Sequence, residues 1–194
     1  ILSHAASQMA SEQIRAFATV GGNLCNGSPS ADQATPLLAL DASVHLVGPQ
    51  GMRALPLHEF FLGPGQTALR PGELLQWISV PPLAGQAIFL KHIPRAFMDI
   101  SVVCVALRLA MAEDLCQEAR IVLGAVAPTP LRARQTEALL TGQALTPERI
   151  QAAAGTAAVE SRPIDDAKGS AWYRRHMVGV LVRRGLSALG GRAG

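Results

Sequence analysis

Aromatic rings make up only 4% of the 194-residue sequence, and Lys91 and Lys168 are its only two lysines. Few rings mean few platforms for stacking bases, which argues against a nucleic-acid partner. Cysteine is also sparse. Cys25, Cys104 and Cys116 lie far apart without a C-x-x-C pair, so no iron–sulfur or thiolate–zinc site built by this chain alone is expected. An odd cysteine count without a secretory leader points to a reducing, cytoplasmic setting. Long apolar runs are missing too. The longest suitable charge-free stretch, 74–90, is broken by Pro81, Pro82 and Gly85, so no membrane span is expected. The five histidines show neither H-x-H nor H-E-x-x-H spacing, and no G-x-S-x-G elbow occurs, which removes the common zinc and serine-hydrolase arrangements.

What is present describes a globular protein. Hydrophobic residues reach 49% and charged ones only 16%, with a mean hydropathy of +0.24, enough to bury a core and too apolar for disorder. The net charge of +3 is uneven: residues 1–85 carry −2 and residues 86–194 carry +5. The basic residues are scattered arginines, and this reads as a solvated face.

The texture changes near Gly85. Before it, residues 1–15 read as the tail of a helix and 19–32 as a loop of small residues. A short apolar helix follows over 37–40, with Thr35 as its N-cap and Pro36 at its first position. Short strands are expected over 43–47, 52–57 and 74–80, with 63–67 as a turn-rich link. After Gly85, three longer strands are expected over 87–93, 101–111 and 119–126. The middle one is almost continuously apolar, which places it centrally in its sheet. Helices follow over 131–140, over 147–161 behind Thr146, and over 170–189.

Two segments could carry chemistry. In 19–32, Gly21 and Gly22 permit positive φ and close backbone approach, and successive amides there form an anion-binding nest. Thr19, Asn23, Asn26 and Ser28 add small polar groups, and Asp32 is the only charge between Arg15 and Asp41. No lysine follows the glycines and the spacing misses G-x-G-x-x-G, so neither a Walker loop nor a Rossmann fingerprint is present. The alternative is a plain glycine turn with Asp32 capping the next helix. In the second segment, 89–100, Lys91 stands at a strand end where a cation would stabilise a ligand's negative charge, and Arg95 and Asp99 could pair. The alternative there is a snorkelling lysine and a surface ion pair. Asp165 and Asp166 read as charges favouring a helix start rather than as a catalytic pair.

Residues 13–32, Gln-Ile-Arg-Ala-Phe-Ala-Thr-Val-Gly-Gly-Asn-Leu-Cys-Asn-Gly-Ser-Pro-Ser-Ala-Asp, resemble the second flavin-binding segment of the molybdenum hydroxylase flavoproteins. That family includes the medium subunits of aerobic carbon monoxide dehydrogenase and the central domain of xanthine dehydrogenase. Residues 123–133 and 164–175 resemble the same family's C-terminal domain and closing helix, and the likeness runs in order along nearly the whole chain. It implies an α+β fold: the second subdomain of a PCMH-type (vanillyl-alcohol-oxidase-like) FAD-binding domain over 1–85. A C-terminal domain over 86–194 would follow, a three-stranded antiparallel sheet with a helical bundle.

The resemblance also implies roles. Thr19, Val20, Gly21, Gly22 and Asn23 would hold the FAD pyrophosphate, and Asp32 would lie near the ribitol or ribose. Leu74 would contact the cofactor near its ring, and Lys91 would stabilise the reduced flavin's negative charge. Cys25 would lie near the ring as well, and Met98 stands where some relatives carry an acid. A large partner would bear the molybdenum–pterin cofactor and a small partner the [2Fe–2S] clusters. FAD would pass their electrons to NAD⁺, a quinone or oxygen, in a dimer of heterotrimers. An N-terminal FAD segment with another glycine-rich loop would be missing from this sequence. A non-catalytic scaffold that docks the two partners is the alternative, and a flavin reductase of the cell-wall precursor type a more distant one.

Overall fold

A computed structural model describes residues 1–94 and 100–191. The chain begins with α1 (Leu2–Ser7) and α2 (Glu12–Phe17), where the sequence predicts one helical tail. Ala10 breaks it with φ +45. The guanidinium of Arg15 holds that corner, donating to the carbonyls of Met9 at 2.7 Å and Ala10 at 2.9 Å. Ser11 then caps α2 by accepting from the Ile14 amide.

The expected loop over 19–32 is a loop only in part. Residues Val20–Cys25 form α3, capped by Thr19, because the Thr19 hydroxyl accepts the Gly22 amide at 2.9 Å and satisfies a donor the helix start leaves open. Gly21 and Gly22 are therefore helical. The left-handed residue is Gly27, at φ +61, where a side chain would run into the backbone of Gly65 and Gln66. Helix α4 (Ala34–Ala39) starts earlier than its sequence suggests, with Gln33 as its N-cap. Thr35 is thus inside the helix, and its hydroxyl lies 3.5 Å from the Cys104 sulfur.

A small antiparallel sheet follows, made of β1 (Ser43–Gly48), β2 (Gly51–Pro56) and β5 (Leu74–Ser79) in the order β2–β1–β5. Val44 and Leu46 of β1 face the core. The link between β2 and β5 contains a hairpin, β3 (Phe61–Gly63) with β4 (Gln66–Thr67), where only a turn is expected.

The second sheet centres on β6 (Gln86–His92), β7 (Val103–Ala112) and β8 (Leu115–Gly124), all antiparallel. Two-residue strands β9 (Leu131–Arg132) and β10 (Gln143–Ala144) extend it on the β8 side. Gly85, at φ +82, makes the turn into β6, and a side chain there would meet the Leu109 carbonyl.

Both faces of this sheet are covered, which is why β7 reads as an unbroken apolar run. Val103, Val105, Leu107 and Leu109 pack with α6 (Pro147–Glu160) and α7 (Ala171–Gly190), beside α5 (Arg134–Leu140). Cys104, Ala106, Val122 and Phe89 pack instead with α4 and the first sheet. The period of two along β6 therefore puts Phe89 and Lys91 on the same side as α4, and Ile88 and Leu90 on the side of α6 and α7. Thr146 caps α6 as expected, accepting from the Arg149 amide, whereas Ser170, expected as the first residue of its helix, is the N-cap of α7 and accepts from the Tyr173 amide. Among the described residues, no helix is long and apolar enough to cross a membrane.

Candidate functional site

A cleft of about 570 Å³ opens over α3. One wall is apolar, formed by Met9, Ile14, Phe17 and Ile100, and the other carries Thr19, Asn23, Asn26, Ser28, Ser30 and Asp32. Phe17 is 90% exposed and Ile14 57%, so the apolar wall offers uncovered surface at the cleft's rim. Exposed apolar groups beside convergent polar ones are the ordinary make-up of a ligand site.

The polar wall begins at the start of α3. With the Thr19 hydroxyl spent on Gly22 and the Thr19 carbonyl on the Asn23 amide, the amides of Val20 and Gly21 find no partner among the described residues. Asn23 fixes the far side of the turn: its Oδ1 accepts the Gln33 amide at 3.2 Å, and its Nδ2 lies 3.7 Å from the Met9 sulfur. The buried Gln33 Nε2 has no partner among the described residues.

At the base of the cleft sits a buried ion pair. Lys91 Nζ donates to Asp32 Oδ2 at 2.7 Å and to the Gln8 carbonyl at 3.0 Å, and Ser101 Oγ donates to Asp32 Oδ1 at 2.6 Å. The side chains of Lys91 and Asp32 are 2% and 7% exposed. The two candidate segments, separate in the sequence, are thus one unit, and Lys91 meets a carboxylate rather than open space. Behind this pair, burial and then the Asp32 charge push the Cys104 thiol up to about 12, so Cys104 is an inert packing group. Burial likewise raises the Cys25 thiol.

Of the residues singled out from the sequence, Thr19, Gly22, Asn23 and Asp32 line the cleft. Val20 and Gly21 belong to its helix but not to its lining, Gly21 being turned toward Leu75 of β5. Lys91 lies beneath it. Leu74 is 70% exposed at the start of β5 and is not part of the lining. Arg95, Met98 and Asp99 lie outside the described residues. Sequence reasoning missed the Gln8–Ala10 corner and Ser101. It also missed the wall built by Ile14 and Phe17, whose spacing of three on an exposed helix is the one signal that was available.

Elsewhere several charges are committed to structure. Asp165 Oδ1 accepts the Ala171 amide at the start of α7, and Asp166 accepts from Arg174 with both oxygens and from the Lys168 amide with Oδ1, as expected of charges that secure a helix start. Arg108, Arg120 and Arg132 converge on Asp41. Among the described residues no cluster of His, Cys, Asp and Glu could hold a metal ion.

Known proteins resemble this chain along nearly its whole length. The family model described as FAD binding domain in molybdopterin dehydrogenase matches residues 1–83, and that of the CO dehydrogenase flavoprotein C-terminal domain matches residues 88–189. The chain is 34% identical over 194 residues to the xanthine dehydrogenase FAD-binding subunit of Escherichia coli O157:H7, covering 98% of this chain and 66% of that protein. It is 35% identical over 186 residues to the carbon monoxide dehydrogenase medium chain of Afipia carboxidovorans, covering 95% and 65% respectively. Among solved structures, carbon monoxide dehydrogenase from Hydrogenophaga pseudoflava superposes with a TM-score of 0.94 at 35% identity, over 99% of this chain and 67% of that one. Quinoline 2-oxidoreductase from Pseudomonas putida 86 gives 0.92 at 25% identity, over 98% and 66%. The chain thus spans slightly less than two thirds of the length of these two curated relatives.

Proposed function

The chain belongs to the FAD-binding flavoproteins of the molybdenum hydroxylase family, and from that premise we propose that the cleft over α3 holds part of an FAD through which a partner's electrons leave the complex. FAD accepts electrons singly and releases them in pairs, which suits it to join iron–sulfur clusters to a two-electron acceptor. The partners on this reading are a large subunit with the molybdenum–pterin cofactor and a small subunit with [2Fe–2S] clusters, arranged as a dimer of heterotrimers. A further FAD-binding segment would complete the site. The three free thiols support a reducing, cytoplasmic setting.

The observation that carries this reading is the start of α3. The unpartnered amides of Val20 and Gly21 stand at the positive end of a helix, beside a residue without a side chain, Gly22, and a wall of hydroxyl and amide groups. This set can donate to a diphosphate without supplying a counter-charge. The charges at its base, Asp32 and Lys91, neutralise each other at 2.7 Å.

Each residue then has a task. Val20 and Gly21 do not line the cleft themselves but stand between its lining residues Thr19 and Gly22, and their amides would donate to a diphosphate at the helix start, which Thr19 keeps open by capping one turn in. Asn23 holds Gln33 and steadies the turn, while Asp32 accepts from a sugar hydroxyl at the base. Ile14, Phe17 and Ile100 shield apolar cofactor surface from water. Lys91 acts through its pair with Asp32: it fixes the carboxylate and the Gln8 carbonyl, and the flavin meets a compensated charge. Leu74 belongs to the cofactor contacts through its backbone.

The experiment is purification of the complete complex with quantitation of FAD, molybdenum and iron. One FAD for each molybdenum, together with cluster iron, is the expected outcome. A complex without flavin, or a flavin without molybdenum and iron, would overturn the reading.

A further inference from the structure

Arg174 lies on α7, away from the cleft lining, yet its side chain is buried to 5% exposure and makes four hydrogen bonds. Nη2 donates to both oxygens of Asp166 at 2.6 Å. Nη1 donates to two backbone carbonyls, Ala125 at 2.8 Å and Val102 at 3.3 Å. Those carbonyls end two segments that run to the cleft.

The first segment turns at Ala125, a non-glycine residue at φ +64, a conformation that costs energy and persists only where neighbours hold it. Its amide donates to the Pro29 carbonyl at 2.8 Å, and Pro29 stands between Ser28 and Ser30 of the polar wall. The second segment begins at Val102, whose neighbour Ser101 donates to Asp32 at 2.6 Å. One guanidinium therefore braces the polar wall on one side and the buried pair on the other.

We propose that Arg174 is a positioning residue of the cofactor cleft, setting through Ala125 and Val102 where the Ser28–Ser30 wall and the Asp32 carboxylate stand. This inference rests on the reading of the cleft as a flavin site. The planar fork is what the role needs: it reaches two carbonyls and a carboxylate at once in fixed geometry, which a lysine's single ammonium on a flexible stem does not reproduce. Asp166 supplies the fork's counter-charge and fixes its orientation.

The test compares Arg174→Lys with Leu186→Ala in the complete, assembled protein. Leu186 is fully buried on the same helix and makes no link to the cleft, so its variant controls for loss of stability alone. FAD affinity is read by flavin fluorescence after gentle removal of the cofactor, and thermal unfolding is measured in parallel. Arg174→Lys is expected to bind FAD about tenfold more weakly, as a site left loose by its supporting groups does, with unfolding less affected than in Leu186→Ala, whose FAD affinity stays at the wild-type value. Equal affinity in Arg174→Lys and wild type, or an equal loss in Leu186→Ala, overturns the proposal. Failure of the wild type to bind FAD instead overturns the flavin reading itself. If Arg174→Lys does not fold, hydrogen exchange in Asp166→Asn decides: faster exchange at the Ala125 amide supports the role, and unchanged exchange there contradicts it.

Discussion

Lys91 and Asp32, 59 residues apart in the chain, meet at 2.7 Å beneath the cleft, each nearly without access to water. Removing one member of such a pair leaves the other charge buried and uncompensated. Lys91→Met is therefore expected to cost about 3 kcal/mol in urea unfolding. The double variant Lys91→Met with Asp32→Asn should recover a substantial part of that loss. Strict additivity of the two single changes would show that the groups do not depend on each other.

The strand and helix pattern was legible where local chemistry decides it. Thr146 marks a helix start because a hydroxyl can accept an amide three residues on, and the apolar run of β7 announces a strand covered on both faces. The pairing of Lys91 with Asp32 leaves no local trace, since it arises from the pleat of β6 turning Lys91 toward α4. Gly21 and Gly22 misled for a related reason: glycine permits positive φ, but the Thr19 cap selects the helix, and the left-handed position falls at Gly27. Similarly, nothing in Ala10 or Ala125 themselves signals positive φ, which goes with the Arg15 guanidinium on the Ala10 carbonyl and with the distant Pro29 carbonyl on the Ala125 amide.

The two helical glycines of α3 should respond differently to substitution. A Cβ on Gly22 would lie 2.9 Å from the Thr19 hydroxyl, whereas one on Gly21 would meet Leu75 at an ordinary 3.7 Å. Gly22→Val is expected to abolish FAD retention through gel filtration, by displacing the cap and filling the space over the helix start. Gly21→Ala is expected to preserve the fold and raise helix stability by up to about 1 kcal/mol, read by chemical denaturation without FAD. Retained flavin in Gly22→Val would contradict the assignment.

Asp41 joins the two halves of the chain. Its carboxylate accepts from Arg108 at 2.9 Å and Arg120 at 3.1 Å and lies 3.6 Å from Arg132, while its own φ is +53. Asp41→Ala should lose about 1 to 2 kcal/mol, a modest figure because the carboxylate is partly exposed. Asp41→Gly should lose less, since glycine takes the left-handed conformation without penalty. The reverse order in urea midpoints would count against the clamp.

Acid sensitivity has a named contributor in Glu73. Two bonds from the Arg53 side chain at 2.7 Å, with a third from the Arg70 amide, hold its carboxyl down to about 2 from an ordinary 4.5. The unfolded chain takes up this proton at higher pH than the folded one. The stabilisation is thus complete above about pH 4.5 and is lost as pH falls toward 2. Glu73→Gln should lower stability at pH 7 and flatten the decline between pH 5 and 2. An unchanged acid slope in urea unfolding would remove Glu73 from the account.

The most direct measurement of the central claim is a titration of the complete purified flavoprotein, stripped of cofactor, with FAD, followed by flavin fluorescence. The account predicts saturable binding at one FAD per chain in the wild type, abolished in Gly22→Val with the circular dichroism spectrum unchanged. No saturable binding by the wild type, or the same binding by both proteins, would contradict it.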